Sequence, residues 1–188
     1  MSTLNDAASI WQQFHWSFFI NTQGLILAVG RFKNSLERGD IPSARTELTT
    51  AAELLRSSGA AMQLAASFKR GEYEQEVRPS MLYPEVDVDN FSGLMSWDHA
   101  VLIQLWKQLR STLKDLPTEL QAEHQQFVAA YDELATSHRG VCKKFGGGES
   151  GSIRYQSEVA TDVLDRFRRN RIGLLDPNQT SGCPFHRK

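Results

Sequence analysis

A chain of 188 residues with 40% apolar and 23% charged residues is sized for one domain that buries a core without disulfide or metal staples. Its net charge of −1 gives no field to gather nucleic acid, no apolar run approaches the ~20 residues that span a bilayer, and the N-terminus lacks the pattern of a secretory signal. Two cysteines, Cys142 and Cys183, make neither a disulfide framework nor a zinc site, so the expected location is cytoplasmic, with no nucleic-acid or membrane partner.

Asn5-Asp6 can cap a first helix running to about Arg38, where Gly39-Asp40 can end it. Ile10, Phe14, Phe18, Leu25, Val29, Phe32 and Leu36 recur at three- and four-residue steps, and Asn21-Thr22 interrupt the stripe at its middle. Trp11, His15, Trp16 and Phe19 widen the apolar surface to a breadth that suits a helix buried on two sides, or one lining a pocket or a subunit contact. A second helix starts at Pro42, a tolerated first-turn position, and runs to about Arg70. Its apolar side is rich in alanine, and Gly59 at its middle predicts a kink or a tight contact.

From Gly71 the periodicity breaks. Glu72 to Val77 suits one or two helical turns, and Arg78 should leave helical geometry because Pro79 follows it. Ser80 to Met95 is a long irregular stretch, too apolar for disorder, and reads as a loop folded over something. Ser96 caps a third long helix, 97–114, with Leu102, Leu105, Leu109 and Leu113 inward. A fourth spans about 119–145. A last, shorter helix spans about 157–170, its arginines Arg166, Arg168, Arg169 and Arg171 suited to the C-terminal dipole. The expected fold is an all-α bundle of four long helices plus one shorter, a single domain over 1–176 with a loose tail at 177–188.

On the fourth helix Phe127, Tyr131, Leu134, Val141 and Phe145 share one face, and His138 falls in the same stripe. Two turns later comes Gly146-Gly147-Gly148-Glu149-Ser150-Gly151-Ser152, a loop able to offer backbone N–H groups. There is no Glu-x-x-His pair for a di-iron bundle, no nucleophile elbow, and no Walker or dinucleotide fingerprint. A single inward histidine, a glycine loop, an arginine and many aromatics fit a haem held by one proximal imidazole. The plainer reading is a core histidine satisfied by a neighbour. His99 reads as structural, and His15 and His124 as surface or interface residues.

Three stretches in order carry a resemblance. Phe18-Phe19-Ile20-Asn21-Thr22-Gln23-Gly24-Leu25 resembles the first-helix motif of the haem-dependent tryptophan/indoleamine 2,3-dioxygenase superfamily. Arg78 with Phe91-Ser92-Gly93-Leu94-Met95-Ser96 resembles its substrate-pocket arginine and serine-glycine segment. His138 with Phe145-Gly146-Gly147-Gly148-Glu149-Ser150 resembles its proximal histidine and glycine loop. The resemblance implies haem b with its iron on His138, and Gly146, Gly147, Gly148 and Ser150 around the cofactor. Arg78 would pair with a substrate carboxylate. Phe18, Phe19, Ser92, Gly93 and Ser152 would shape the substrate pocket, with Asn21 or Thr22 where tryptophan dioxygenases have a distal histidine. It further implies an oxygenase or oxidase acting on an indole- or aromatic amino-acid-derived substrate with O2 or peroxide, as a homodimer or homotetramer. The alternatives are a non-catalytic module binding haem or a hydrophobic ligand, and a purely structural oligomerising bundle.

Overall fold

The computed structural model describes residues 6–81, 96–149 and 158–178. Helix α1 spans Ala7–Glu37, and its first turn is held by the Asp6 carboxylate accepting from the Ser9 N–H at 2.7 Å. Gly39 makes the reversal at φ 70°, a conformation open to glycine, and Asp40 caps α2, Ile41–Ala65, through the Ser43 N–H. The C-terminal half of α1 buries Leu25, Ala28, Val29 and Phe32 against α2. Ala44, Ala51 and Ala52 of α2 are fully buried, and their small side chains let the two helices lie close. Gly59 faces the fourth long helix, but a Cβ there would stand 3.6 Å from the Leu134 Cα, an ordinary contact and not the tight one expected.

The second helix ends five residues before the expected Arg70. The chain re-enters helix as α3, Arg70–Glu72, with the Glu72 carboxylate accepting from the Lys69 N–H at 2.6 Å. A π-helical turn, Tyr73–Val77, follows and leads into α4, Arg78–Ser80. Arg78 is therefore helical, with φ −58° and ψ −43°, contrary to the expectation that Pro79 would extend it. Pro79 falls in the first turn of α4, where its missing N–H costs nothing. The wide turn just before it, closed by Arg78 N–H to Tyr73 C=O, makes room for the ring. Of the expected loop Ser80–Met95, all beyond Met81 lies outside the described residues.

Helix α5, Trp97–Lys114, begins at its expected serine cap, Ser96 Oγ accepting from His99 N–H at 3.3 Å. Its core side is Leu102, Trp106, Leu109 and Leu113. A 3-10 turn, Thr118–Leu120, opens α6, Gln121–Lys144, which packs along α2. Helix α7 spans Ala160–Leu175 and runs past the expected end, because Ile172, Leu174 and Leu175 pack on the core. The arginines assigned to its C-terminal dipole therefore stand in the body of the helix, and its last turn holds no basic residue. Two ion pairs tie α7 to α6: Arg168 forks onto Asp132 through Nε and Nη2 at 2.6 and 2.8 Å, and Arg139 shares its single Nε–H between the two oxygens of Asp165 at 2.9 and 3.0 Å. His124, read from the sequence as a surface or interface residue, is buried, and its Nε2 donates to the Leu175 carbonyl at 2.6 Å, fixing the end of α7.

The described residues are thus all-α, with four long helices, the shorter α7 and the single-turn helices α3 and α4, and no strand. No helix among the described residues is long and apolar enough to cross a membrane. Two apolar clusters divide the interior. The larger gathers the C-terminal half of α1 with α2, α5 and the first half of α6; the smaller joins Ala7, Phe68, Tyr73 and Val77 with Trp11, Met81 and Phe145. Between them the N-terminal half of α1 is only half-buried, and there the bundle opens into a cavity.

Candidate active site

The cavity holds about 540 Å³, within the roughly 300–1,000 Å³ of cofactor and small-molecule sites. Its walls come from α1, from Leu55, Ser58 and Met62 of α2, from the first half of α5, from α6 and from the inner face of α7, with Arg78 and Met81 at the π-turn side. At that side Phe145 lies between two rings, stacked on Tyr73 at 4.4 Å and on Phe68 at 5.1 Å, with Trp11 edge-on at 6.2 Å. The aromatic breadth of α1 has its reason here: Trp11, Phe14, His15 and Phe18 face the cavity, whereas Trp16 points outward and is 64% exposed.

His138 stands in the middle of the α6 wall. Its ring makes no hydrogen bond to any described residue. Burial, followed by the nearby Arg171 charge, lowers its pKa from the usual 6.5 to about 4, so the imidazole is neutral near pH 7 and keeps a lone pair for a ligand. Trp106 also borders the cavity, with a buried Nε1–H that has no partner among the described residues. No group of three metal-ligating side chains occurs among the described residues, so a bare ion has no ready cage. A porphyrin brings four ligands of its own and needs one imidazole, and this wall supplies it. The residues present therefore fit a haem.

Of the other residues singled out from sequence, Phe18, Thr22, Arg78, Gly146 and Gly147 line the same cavity as His138. Thr22 is buried, and its hydroxyl donates to the Phe18 carbonyl at 2.8 Å. Arg78 has no carboxylate partner among the described residues. Gly146 adopts φ 90°, and a Cβ on it would sit 3.0 Å from Arg70 Nη2. A Cβ on Gly147 would meet Cys142 Sγ at 2.2 Å, so both positions require glycine. The Gly146 and Gly147 N–H groups close onto the Lys143 and Cys142 carbonyls at the end of α6. Gly147 C=O accepts from Thr161 N–H, linking the loop to α7. Asn21 lies outside the wall and donates to Ser57 at 3.2 Å; Phe19 packs beside Phe18, and Gly148 is also off the wall. Ser92, Gly93, Ser150 and Ser152 lie outside the described residues.

Sequence reasoning passed over several wall residues. His15 faces the cavity with Nδ1–H donating to the Trp11 carbonyl at 2.8 Å, so its Nε2 is the unprotonated nitrogen, and burial lowers its pKa. His99 lines the cavity one turn into α5. Cys142, one turn beyond His138, has its thiol pKa raised by burial. Arg70 holds Glu149 through a fork at 2.6 and 3.0 Å and Glu74 at 2.8 Å, joining α3 to the glycine loop. A signal for His138 and Cys142 was present in their four-residue spacing on one helical face, and for His15 in the apolar breadth of α1; for His99 only the packing of α5 gives it.

The family model for the SfmD 3-methyl-L-tyrosine peroxygenase matches residues 1–130, a span that includes Thr22, Arg78 and His99 and stops short of His138. Among curated proteins, the 3-methyl-L-tyrosine peroxygenase of Streptomyces lavendulae is 32% identical over 173 residues, which cover 90% of this chain and 47% of that protein. The chain thus spans about half the length of that relative. No solved structure matches it. The resemblance to haem dioxygenases accordingly narrows to a family of haem peroxygenases related to them. With this match over its first 130 residues, the chain belongs to the SfmD 3-methyl-L-tyrosine peroxygenase family.

Proposed function

We propose that this protein is a haem-dependent peroxygenase that hydroxylates an aromatic amino acid of the 3-methyl-L-tyrosine type with peroxide. One observation carries the reading: a neutral imidazole without a hydrogen bond to any described residue, at the wall of a cavity large enough for a cofactor. Family membership supports the choice of an aromatic amino acid over an indole, and of peroxide over O2.

In this reading His138 holds the iron, and the haem, when bound, supplies the redox chemistry that moves one oxygen atom from peroxide to an aromatic ring. The remaining work belongs to the chain. Arg78 binds the substrate carboxylate, for which its planar fork is suited and which no described carboxylate pre-empts. Phe18 packs the substrate ring, with Phe19 behind it. Thr22, with Asn21 beside it, faces the reacting side, and Gly146 and Gly147 bring the backbone close to the cofactor with Gly148 completing the turn. On the resemblance alone, Ser92, Gly93 and Ser152 are assigned to the substrate and Ser150 to the cofactor. The outward stripe Trp16, Ile20 and Leu27, with Trp97 nearby, supports a homo-oligomer.

The test is an absorption spectrum of the purified full chain. A Soret band is expected, His138→Ala should lose it, and 3-methyl-L-tyrosine with hydrogen peroxide should yield a hydroxylated product. If His138→Ala keeps the wild-type band while His15→Ala or His99→Ala loses it, another wall histidine is the ligand. The haem type is read at Cys142, whose thiol can add across a haem vinyl group. Full extraction of colour by acid–acetone gives haem b; colour left on the protein gives a tether. The cavity with its unbonded imidazole also suits one second reading, a haem-binding module without activity of its own. Haem binding with no turnover of amino acids or indoles would select it.

A further inference from the structure

Four arginines border the cavity: Arg70, Arg78, Arg168 and Arg171. Two are already neutralised, Arg70 by Glu74 and Glu149, and Arg168 by Asp132. Arg78 and Arg171 have no carboxylate partner among the described residues. A cation facing an apolar-walled cavity without a counter-charge is costly to keep unless an anion comes to it.

The two stand at different ends. Arg78 follows the π turn whose Tyr73 stacks on Phe145. Arg171, on α7, lies beside the Tyr131 hydroxyl, with its guanidinium 5.1 Å from the centre of the Phe167 ring. Tyr131, His138 and Phe145 follow one another at seven-residue steps, about 10 Å each along a helix. Arg171 and Arg78 therefore flank the His138 imidazole from opposite directions. Arg171 is close enough for its charge to bear on His138. The ring beneath it and the hydroxyl beside it fix the planar fork in place.

We propose that Arg171, with the Tyr131 hydroxyl, is a carboxylate anchor at the α6–α7 end of the cavity, and that the carboxylate it takes is a propionate of the haem. The inference rests on the haem reading above. It divides the two cations that have no described carboxylate partner between two anions, Arg171 for the cofactor and Arg78 for the amino acid. Arg171 is thereby a positioning residue: held by one edge on the α6–α7 side, the porphyrin has its plane set with respect to His138.

The full chain, prepared free of haem, is titrated with haemin and with haemin dimethyl ester while the Soret band is followed. In wild-type protein haemin is expected to bind about tenfold or more tightly than the ester, the size of a charge-assisted hydrogen bond. Arg171→Gln should weaken haemin by about that factor and leave the ester unchanged, so that the gap closes. Arg171→Lys should restore part of it, and Arg169→Gln, an exposed neighbour, should change nothing. A gap as wide in Arg171→Gln as in wild type overturns the assignment. So does a haemin affinity that is unchanged while KM for the amino acid rises, since the carboxylate would then be the substrate's. An equal loss in Arg169→Gln makes the effect general charge and overturns it too. Wild-type protein that binds neither porphyrin removes the haem reading itself, and this assignment with it.

Discussion

His138 stands half-buried in the cavity wall, densely surrounded by protein, and no described group is bonded to its ring. Its folded pKa, about 4, lies below the 6.5 of an unfolded chain. Between those values the unfolded state binds more protons, so stability falls as pH drops from 6.5 toward 4 and is level above 6.5. The effect is on the order of 1–3 kcal/mol after allowing for water in the cavity. Urea unfolding of the haem-free chain from pH 4.5 to 7.5 should therefore show a shallower acid limb in His138→Gln than in wild type. Carboxylates such as Glu149, held low by Arg70, also weaken the fold in acid, but they contribute equally to both proteins. Identical limbs would mean that the ring titrates normally.

At the scale of elements, α2 and α6 set how close the cavity walls come. Gly59 is their point of approach, and a Cβ there finds only ordinary contacts at 3.6, 3.7 and 3.9 Å to Leu134 and Ser137. Gly59→Ala should therefore be accommodated and gain about 0.5–1 kcal/mol from helix propensity. Gly59→Leu should lose about 1–3 kcal/mol by forcing the helices apart. Thermal melts of the two variants check both signs; a destabilised Gly59→Ala would mean that the contact leaves no room at all. The π turn before Pro79 acts on the same walls from the other side, because it places Arg78 at the cavity where a regular turn would carry it about 100° around the axis.

For the whole molecule, the cavity exists because the helices are apolar over unequal lengths. The large cluster closes one end and the Phe68–Tyr73–Phe145 stack the other, and the half-buried start of α1 spans the gap. That arrangement leaves a second apolar face outward: Trp16, Ile20 and Leu27 on α1, and Trp97 at the start of α5, which meets α1 where Gln23 approaches Asp98 at 3.5 Å. All four are at least 60% exposed. Self-association through this face should fall in Trp16→Glu/Ile20→Lys, measured by sedimentation velocity over a range of concentrations. A sedimentation coefficient that is the same in both proteins at every concentration would rule the face out as the contact.

Local signals fixed the helices on their own: period, caps at Asp6, Asp40 and Ser96, and glycine at position 39 act within a turn or two, so they can be read from neighbouring residues. The stripe that holds His138, Tyr131 and Phe145 was legible for the same reason, since a helical face is set by spacing alone. Tertiary structure decided the rest. Pro79 became helical because the π turn ahead of it made room, α7 outran its basic run because Leu175 found the core, and His15, His99 and Arg171 became wall residues because three separate helices turned them toward one space. Those outcomes depend on contacts between residues far apart in the chain, and local periodicity carries no record of which helix will face which.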